Sequence, residues 1–372
     1  MKKDKIIEEL NRLQEIGNFR NLRVPEEKLL NLSSNDYLGL AKDDNLRKEF
    51  YSQFLPKLSS SSSRLIDGSY SEIMELEDTA ERIYGKPCIM FNSGFDANSS
   101  LIETFCNKKT LILTDRLNHA SIYDGIINSG AEFIRYKHLD LVALEKLLEK
   151  YNESYEDIWV ITETVYSMDG DIADIEKLVE LKKKYGFTLM VDEAHSYGVY
   201  GYGIVYNLNC GKDVDFLVIP LGKGGGSVGA MVICDDYLKK YIINKSRKFI
   251  FSTALPPVNS LWNLFILNKM NEFEEKRAKL EILKNYTLKL LAQKEITTES
   301  TTHIISIIVG DNKKISLIRD NMKEKGYLLY PVKEPTVPKG TARFRIGLNP
   351  NISFEEIKTF VKELKYELDT VF

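Results

Sequence analysis

The sequence predicts an α/β protein with a mostly parallel sheet, followed by a smaller α+β region. Three observations carry this prediction. The middle of the chain alternates short apolar segments with amphipathic helical ones, the pattern of strand–helix–strand units. Polar residues with chemical potential follow directly after those apolar segments. The last third changes to one long helical stretch and a few strands.

Seven strands are expected in the large region: Cys88 to Phe91, Thr110 to Thr114, Glu132 to Tyr136, Trp159 to Thr162, Phe187 to Val191, Phe216 to Ile219 and Ala230 to Cys234. Each is short, rich in branched or aromatic residues, and bounded by polar residues or Gly. Between them lie helical patterns. In Asp174 to Tyr185, Ile175, Leu178, Val179 and Leu181 recur at mostly helical spacing, and Gly186 is a stop signal. From about Leu255 a helical stretch runs through Lys294; then come the apolar strand His303 to Gly310, a helix, short strands, and a final helix from Ser353. The expected division is an N-terminal arm (1–38), a large domain (39–254) and a small C-terminal domain (255–372). In open α/β sheets, ligands bind at the carboxyl ends of the strands. Asn92-Ser93-Gly94, Asp115, Glu163-Thr164, Asp192-Glu193 and the segment Pro220 to Lys223 should therefore converge.

Composition narrows the function classes. Of the 372 residues, 51 are Lys or Arg and 54 are Asp or Glu, a net charge of −3, so no basic excess favours a nucleic acid. No apolar run approaches the length of a bilayer span, and the N-terminus MKKDKIIEEL is too charged for a signal peptide. Cys88, Cys106, Cys210 and Cys234 form no CxxC pair, which argues against a zinc site or disulfide framework and for a reducing, cytoplasmic setting.

Five segments carry chemistry. In LGKGGGSVGA (Leu221 to Ala230), glycines let backbone approach a planar ligand, and a lysine shielded from water suits Schiff-base formation. The plainer alternative is a glycine-rich turn with a surface lysine. A P-loop is excluded, because that motif needs its lysine after the loop and beside Ser or Thr. In MVDEAHSYG (Met190 to Gly198), Asp192 leaves a buried strand three residues before His195, and such an acid can pair with a protonated pyridine nitrogen. The alternative is a capping Asp and a packed His. DEAH also marks a helicase class, but that reading needs the P-loop this chain lacks. In FNSGFDAN (Phe91 to Asn98), a strand gives way to a helix whose first N–H groups can bind phosphate; an ordinary helix cap is the alternative. DRLNHAS places His119 after another strand, so two of the four histidines fall at strand ends. In TARFRIGL, Arg343 and Arg345 flank Phe344 and share a face. Either can grip a carboxylate bidentately, unless both are surface residues.

Together with SSNDYLGL, ETVYSMDGD, FSTALPP and EPTVPKGTAR, these segments in order resemble the α-oxoamine synthases, pyridoxal-phosphate enzymes of fold type I. The resemblance runs from Asn31 to Leu348. It implies a decarboxylating condensation of an amino acid with an acyl thioester carried by CoA or acyl-carrier protein, in a homodimer with the active site at the subunit interface. It also implies roles: Lys223 carries the cofactor and moves the Cα proton; Asp192 pairs with the ring nitrogen; His195 and Ser167 lie near the phenolic oxygen; and His119 stacks on the ring. Ser93, Gly94 and Phe95 hold the phosphate, with Ser252 and Thr253 reaching the phosphate of the neighbouring subunit. Asn35 and Arg343 hold the amino-acid carboxylate, and Thr336 and Arg20 touch substrate. Four places depart from the family pattern. Pro220 replaces a Thr or Ser that binds phosphate, Ser59 to Ser63 replaces a glycine-rich run, Ile73 a histidine, and Lys333-Glu334 an Arg-Pro pair. Glycine acetyl transfer and a non-catalytic partner subunit are the competing expectations, the latter resting on Pro220, since proline has no N–H to donate.

Overall fold

The computed structural model describes residues 3–22, 24–334 and 336–371. Its contacts divide the chain into two compact units. The larger holds Asn35–Ser167 and Asp171–Ala278; the smaller holds the segment ending at Ser34, the tripeptide Met168–Gly170, and the chain from Lys279 onward.

The larger unit is built on a seven-stranded sheet. Its strands are β1 (Cys88–Phe91), β2 (Thr110–Asp115), β3 (Glu132–Tyr136), β4 (Asp157–Glu163), β5 (Thr188–Asp192), β6 (Phe216–Pro220) and β7 (Ala230–Cys234), in the order β1-β7-β6-β5-β4-β2-β3. Only β7 runs against the others, since it is antiparallel to both β1 and β6. The carboxyl ends of the remaining six therefore share one edge of the sheet. All seven expected strands are present, with ends shifted by at most two residues.

The central strands are buried on both faces, as a sheet covered by helices requires. Trp159 of β4 and Phe216 of β6 stack with ring centroids 5.2 Å apart, within a core that includes Ile89, Ile112, Met190, Val218 and Val232. β3, at the edge, exposes Glu132 and Arg135, charges that discourage pairing with another chain. Asp174 caps the helix Ile175–Tyr185 by accepting from Lys177 N, and Gly186 ends it at φ 74°, a left-handed conformation that costs glycine little.

The expected division needs correction at both ends. Residues 255–278 belong with the larger unit, because the helix Pro257–Asn268 packs on the helix Ser71–Tyr84. The stretch expected as one helix to Lys294 is broken by a 3-10 turn, Met270–Phe273, and resumes as Glu274–Gln293. At the other end, residues 35–38 are no part of an arm: Tyr37 and Leu38 are fully buried in the larger unit.

In the smaller unit, Leu30–Asn31 pairs in parallel with Tyr327–Leu328, and the helix Lys3–Glu15 has no buried residue. A three-stranded antiparallel sheet joins β8 (Ile304–Gly310), β9 (Pro331–Val332) and β10 (Ala342–Gly347) in the order β9-β10-β8, alongside the helices Asn312–Glu324 and Phe354–Val371. Among the described residues, no helix is long and apolar enough to cross a membrane.

Candidate active site

The shared strand edge gathers the residues that the motifs single out. Lys223 lies three residues beyond β6, and its Nζ is 2.7 Å from His195 Nε2. Nδ1 of His195 is 2.6 Å from the Tyr37 hydroxyl, which donates to Asn35 Oδ1 at 3.1 Å. This chain of bonds assigns the tautomer. Tyr37 spends its proton on Asn35, so it accepts from His195 Nδ1–H, and Nε2 offers its lone pair to Lys223.

The glycines around Lys223 serve a different purpose from the one expected. A Cβ on Gly224 would lie 2.1 Å from the Tyr197 carbonyl oxygen, and one on Gly198 2.6 Å from the Gly224 carbonyl oxygen. The loop is pressed on the turn that follows His195, so these glycines admit protein backbone rather than a flat ligand. The effect is to hold Lys223 and His195 together.

Asp192 ends β5 and is buried, with two donors on its carboxylate: Asn98 Nδ2 at 2.6 Å and Ala194 N at 2.8 Å. Asn98 also donates to Ser121 Oγ, which lies 2.8 Å from His119 Nδ1. His119 in turn caps the helix Ala120–Ser129, its Nδ1 accepting from Ser121 N. Loss of surrounding water lowers the basicity of His119 more than the Asp192 charge raises it, which favours the neutral ring. Part of that ring stays open to solvent.

Glu163 ends β4 directly beside Asp192 in the parallel register. It is buried, and both burial and the Asp192 charge push its carboxyl well above the usual range. Two like charges side by side do not both ionise easily. Asp192 has the better set of donors, so Glu163 is the protonated partner.

At the end of β1, Ser93 caps the helix Gly94–Phe105 by accepting from Asp96 N at 3.0 Å. The N–H groups of Gly94 and Phe95 have no acceptor among the described residues, and they open a helix of 12 residues. The ring of Pro220 lies so close that a Cβ on Gly94 would meet its Cγ at 2.6 Å. Pro220 thus contributes an apolar wall here instead of a hydroxyl. Thr253 is exposed, with its carbonyl accepting from Asn92 Nδ2 at 2.7 Å; beside it Ser252 is half-buried. Ser167 is also half-buried, in the segment after β4.

The remaining predicted residues belong to the smaller unit. Arg343 is not a surface residue: its side chain is 7% exposed and ion-paired with Asp169. Arg345 is buried as well. Thr336 and Arg20 are exposed. Pro335, in the motif just before Thr336, lies outside the described residues.

Sequence reasoning passed over Tyr37, Asn98 and Ser121, and named Glu163 only as a strand-end residue. It also passed over His138, which bridges Asp115 at 2.9 Å and Asp171 at 2.8 Å. Burial pulls the His138 pKa down, but the bonds to the two carboxylates outweigh it and raise it to about 9. The folded value lies above the ordinary one near 6.5. The stabilisation is therefore complete below about pH 6.5 and is lost as pH rises through 9. Replacing His138 with Gln should cost on the order of 3 kcal/mol at pH 6.5. Urea unfolding at pH 6.5 and pH 9.5 checks this, with the gap between variant and parent closing at the higher pH.

The set fits pyridoxal phosphate. Two N–H groups of a helix start lack an acceptor among the described residues, as a phosphate site requires; a buried carboxyl group with two donors suits a ring nitrogen; and the Oε1 of the buried Glu163 has no protein partner among the described residues.

Comparison with known proteins agrees. Residues 27–364 match the aminotransferase class I and II family. A protein of Glaesserella parasuis named "Putative 8-amino-7-oxononanoate synthase" is 42% identical over 95% of this chain and 98% of its own length. Among solved structures, a serine palmitoyltransferase determined with PLP superposes with a TM-score of 0.88, at 26% identity, over 99% of this chain and 98% of that one. The 8-amino-7-oxononanoate synthase from Francisella tularensis superposes with a TM-score of 0.76, also at 26% identity, over 93% of this chain and 99% of that one. This chain belongs to the aminotransferase class I and II family and, within it, to the α-oxoamine synthases.

Proposed function

We propose that this chain condenses L-alanine with a pimeloyl thioester, pimeloyl-CoA in the first instance, to give 8-amino-7-oxononanoate, carbon dioxide and the free thiol of the carrier. The observation that carries the reading is Lys223 Nζ held 2.7 Å from His195 Nε2, in a unit where Asp192 is buried and accepts from Asn98 Nδ2 and Ala194 N. The names of the relatives support the choice of product.

Pyridoxal phosphate, held covalently by Lys223, supplies an electron sink for charge that develops at the amino acid's Cα. The protein's own groups do the rest. Asp192 would pair with the ring nitrogen and keep a proton on it. Lys223 would hold the cofactor and move the Cα proton, with His195 Nε2 as its hydrogen-bond partner. His195 and Ser167 serve the phenolic oxygen, and His119, neutral and partly open, stacks on the ring. Ser93, Gly94 and Phe95 bind phosphate, and Ser252 and Thr253 reach the phosphate of the neighbouring subunit in a homodimer. Asn35 and Arg343 take the amino-acid carboxylate, and Thr336 and Arg20 touch substrate.

The substrate assignment is tested on the protein loaded with pyridoxal phosphate. Alanine should change its visible absorption at lower concentration than glycine or serine, and alanine with pimeloyl-CoA should release 8-amino-7-oxononanoate, read by mass spectrometry. A response to glycine or serine alone would keep the reaction class and replace the substrate. No cofactor absorption at all would favour the partner-subunit alternative.

A further inference from the structure

Arg343 is already occupied by a carboxylate of the chain itself. Its Nη1 is ion-paired with Asp169, and its Nε donates to the Thr341 carbonyl at 3.1 Å. Asp169 is contributed by Met168–Gly170, the one tripeptide of the central sequence that packs with the smaller unit.

That tripeptide is held firmly by backbone. The Gly170 carbonyl accepts from Thr301 N at 3.0 Å, Thr302 N at 3.1 Å and Thr302 Oγ1 at 2.9 Å, and the Ser300 hydroxyl donates to the Asp169 carbonyl. Gly170 sits at φ +70°, where a Cβ would fall 2.0 Å from the Ile304 carbonyl oxygen. No other residue fits there, so the Asp169 side chain is set beside Arg343 by construction.

The two groups differ in how much they depend on the contact. A guanidinium this buried is costly without a counter-charge, and Asp169, 27% exposed, provides it. Arg343 is placed without Asp169, however, because Nε is fixed by a backbone carbonyl and the stem lies in β10. A second carboxylate arriving at the guanidinium meets the Asp169 charge at short range, where water screens little.

We propose that Asp169 is a resident carboxylate on Arg343 that the amino acid's carboxylate displaces, which makes Asp169 a determinant of amino-acid affinity. This rests on Arg343 being the carboxylate-binding residue. It also gives the site a direction. The amino acid brings a carboxylate, whereas the amino ketone product has lost it as carbon dioxide. Asp169 can therefore reclaim Arg343 once the carboxylate has left as carbon dioxide.

The test is a binding titration on the protein loaded with pyridoxal phosphate, following the visible spectral change with L-alanine and, separately, with alaninamide, which has no carboxylate. Asp169→Asn keeps an oxygen for Nη1 but removes the charge. It should lower the Kd for alanine about tenfold and leave that for alaninamide within about twofold. An unchanged or weaker affinity for alanine, or a parallel shift for alaninamide, overturns the proposal, since a merely structural role moves both. If Asp169→Asn does not fold, Asp169→Ser is judged by the same ratio of the two affinities. Arg343→Gln separates the two claims. Weakened alanine binding in that variant upholds the carboxylate reading, whatever Asp169→Asn does. Unchanged binding removes that reading, and the proposal with it.

Discussion

Replacing Lys223 with alanine should lower turnover on the order of 10^5-fold, while the protein still folds and binds pyridoxal phosphate non-covalently. The size follows from the two duties that fall on one amine. In the proposed mechanism Lys223 bonds the cofactor and then moves the Cα proton; removing a group with both duties costs about what is lost when a catalytic nucleophile or its base is removed. The fold should survive because Lys223 is not part of the packing that holds its loop. The Trp262 indole donates to the Gly226 carbonyl at 3.1 Å, Asn263 donates to the Val228 carbonyl at 3.0 Å, and Gly224 is pressed on Tyr197. Single-turnover assays and a cofactor-binding isotherm measure the two parts separately. Turnover within about tenfold of the parent would remove Lys223 from the mechanism.

The second large effect is expected at Asp192. Asp192→Asn should reduce turnover about a thousandfold, the scale on which a single preorganised charge or donor acts in a site closed to water. In the proposed mechanism the Asp192 carboxylate keeps the ring nitrogen protonated, and a neutral amide cannot replace its charge. The change also reaches the Asn98 bond. Nδ2 of Asn98 donates to Asp192 Oδ2 at 2.6 Å, while Oδ1 is committed to Ala194 N at 2.8 Å. An asparagine that keeps its oxygen on Ala194 sets an NH2 group against Asn98, so cofactor affinity should fall as well, by about tenfold. The signature is thus a large loss of turnover beside a small loss of binding. Near-normal turnover at saturating cofactor would take the charge-partner role away from Asp192.

Much of this site was legible in the sequence, because its residues follow strands. Short apolar runs mark β1 to β7, and in a mostly parallel sheet their ends must share an edge, so Ser93, Asp192 and Lys223 are brought together by topology alone. The residues passed over depend on distance in the chain. Tyr37 reads as one more apolar residue in SSNDYLGL, and its bond to His195 spans 158 positions. The Arg343–Asp169 pair spans 174, so no local spacing reveals that the arginine is buried and already paired. The glycines after Lys223 signalled a close approach, yet composition does not say whether backbone or ligand is the neighbour; here it is the Tyr197 carbonyl. The unit boundary within the helix Glu274–Gln293 was hidden for a similar reason, since continuous helix carries no punctuation where its packing partner changes.

The measurement that bears most directly on the central claim is the location of the covalent attachment. The protein is loaded with pyridoxal phosphate, reduced with borohydride, digested and analysed by mass spectrometry. The reduced cofactor should be found on Lys223 and, at stoichiometric loading, on that lysine alone. Stoichiometric label on a different lysine, or none after a clear cofactor spectrum, would contradict the assignment of this edge of the sheet as the active site.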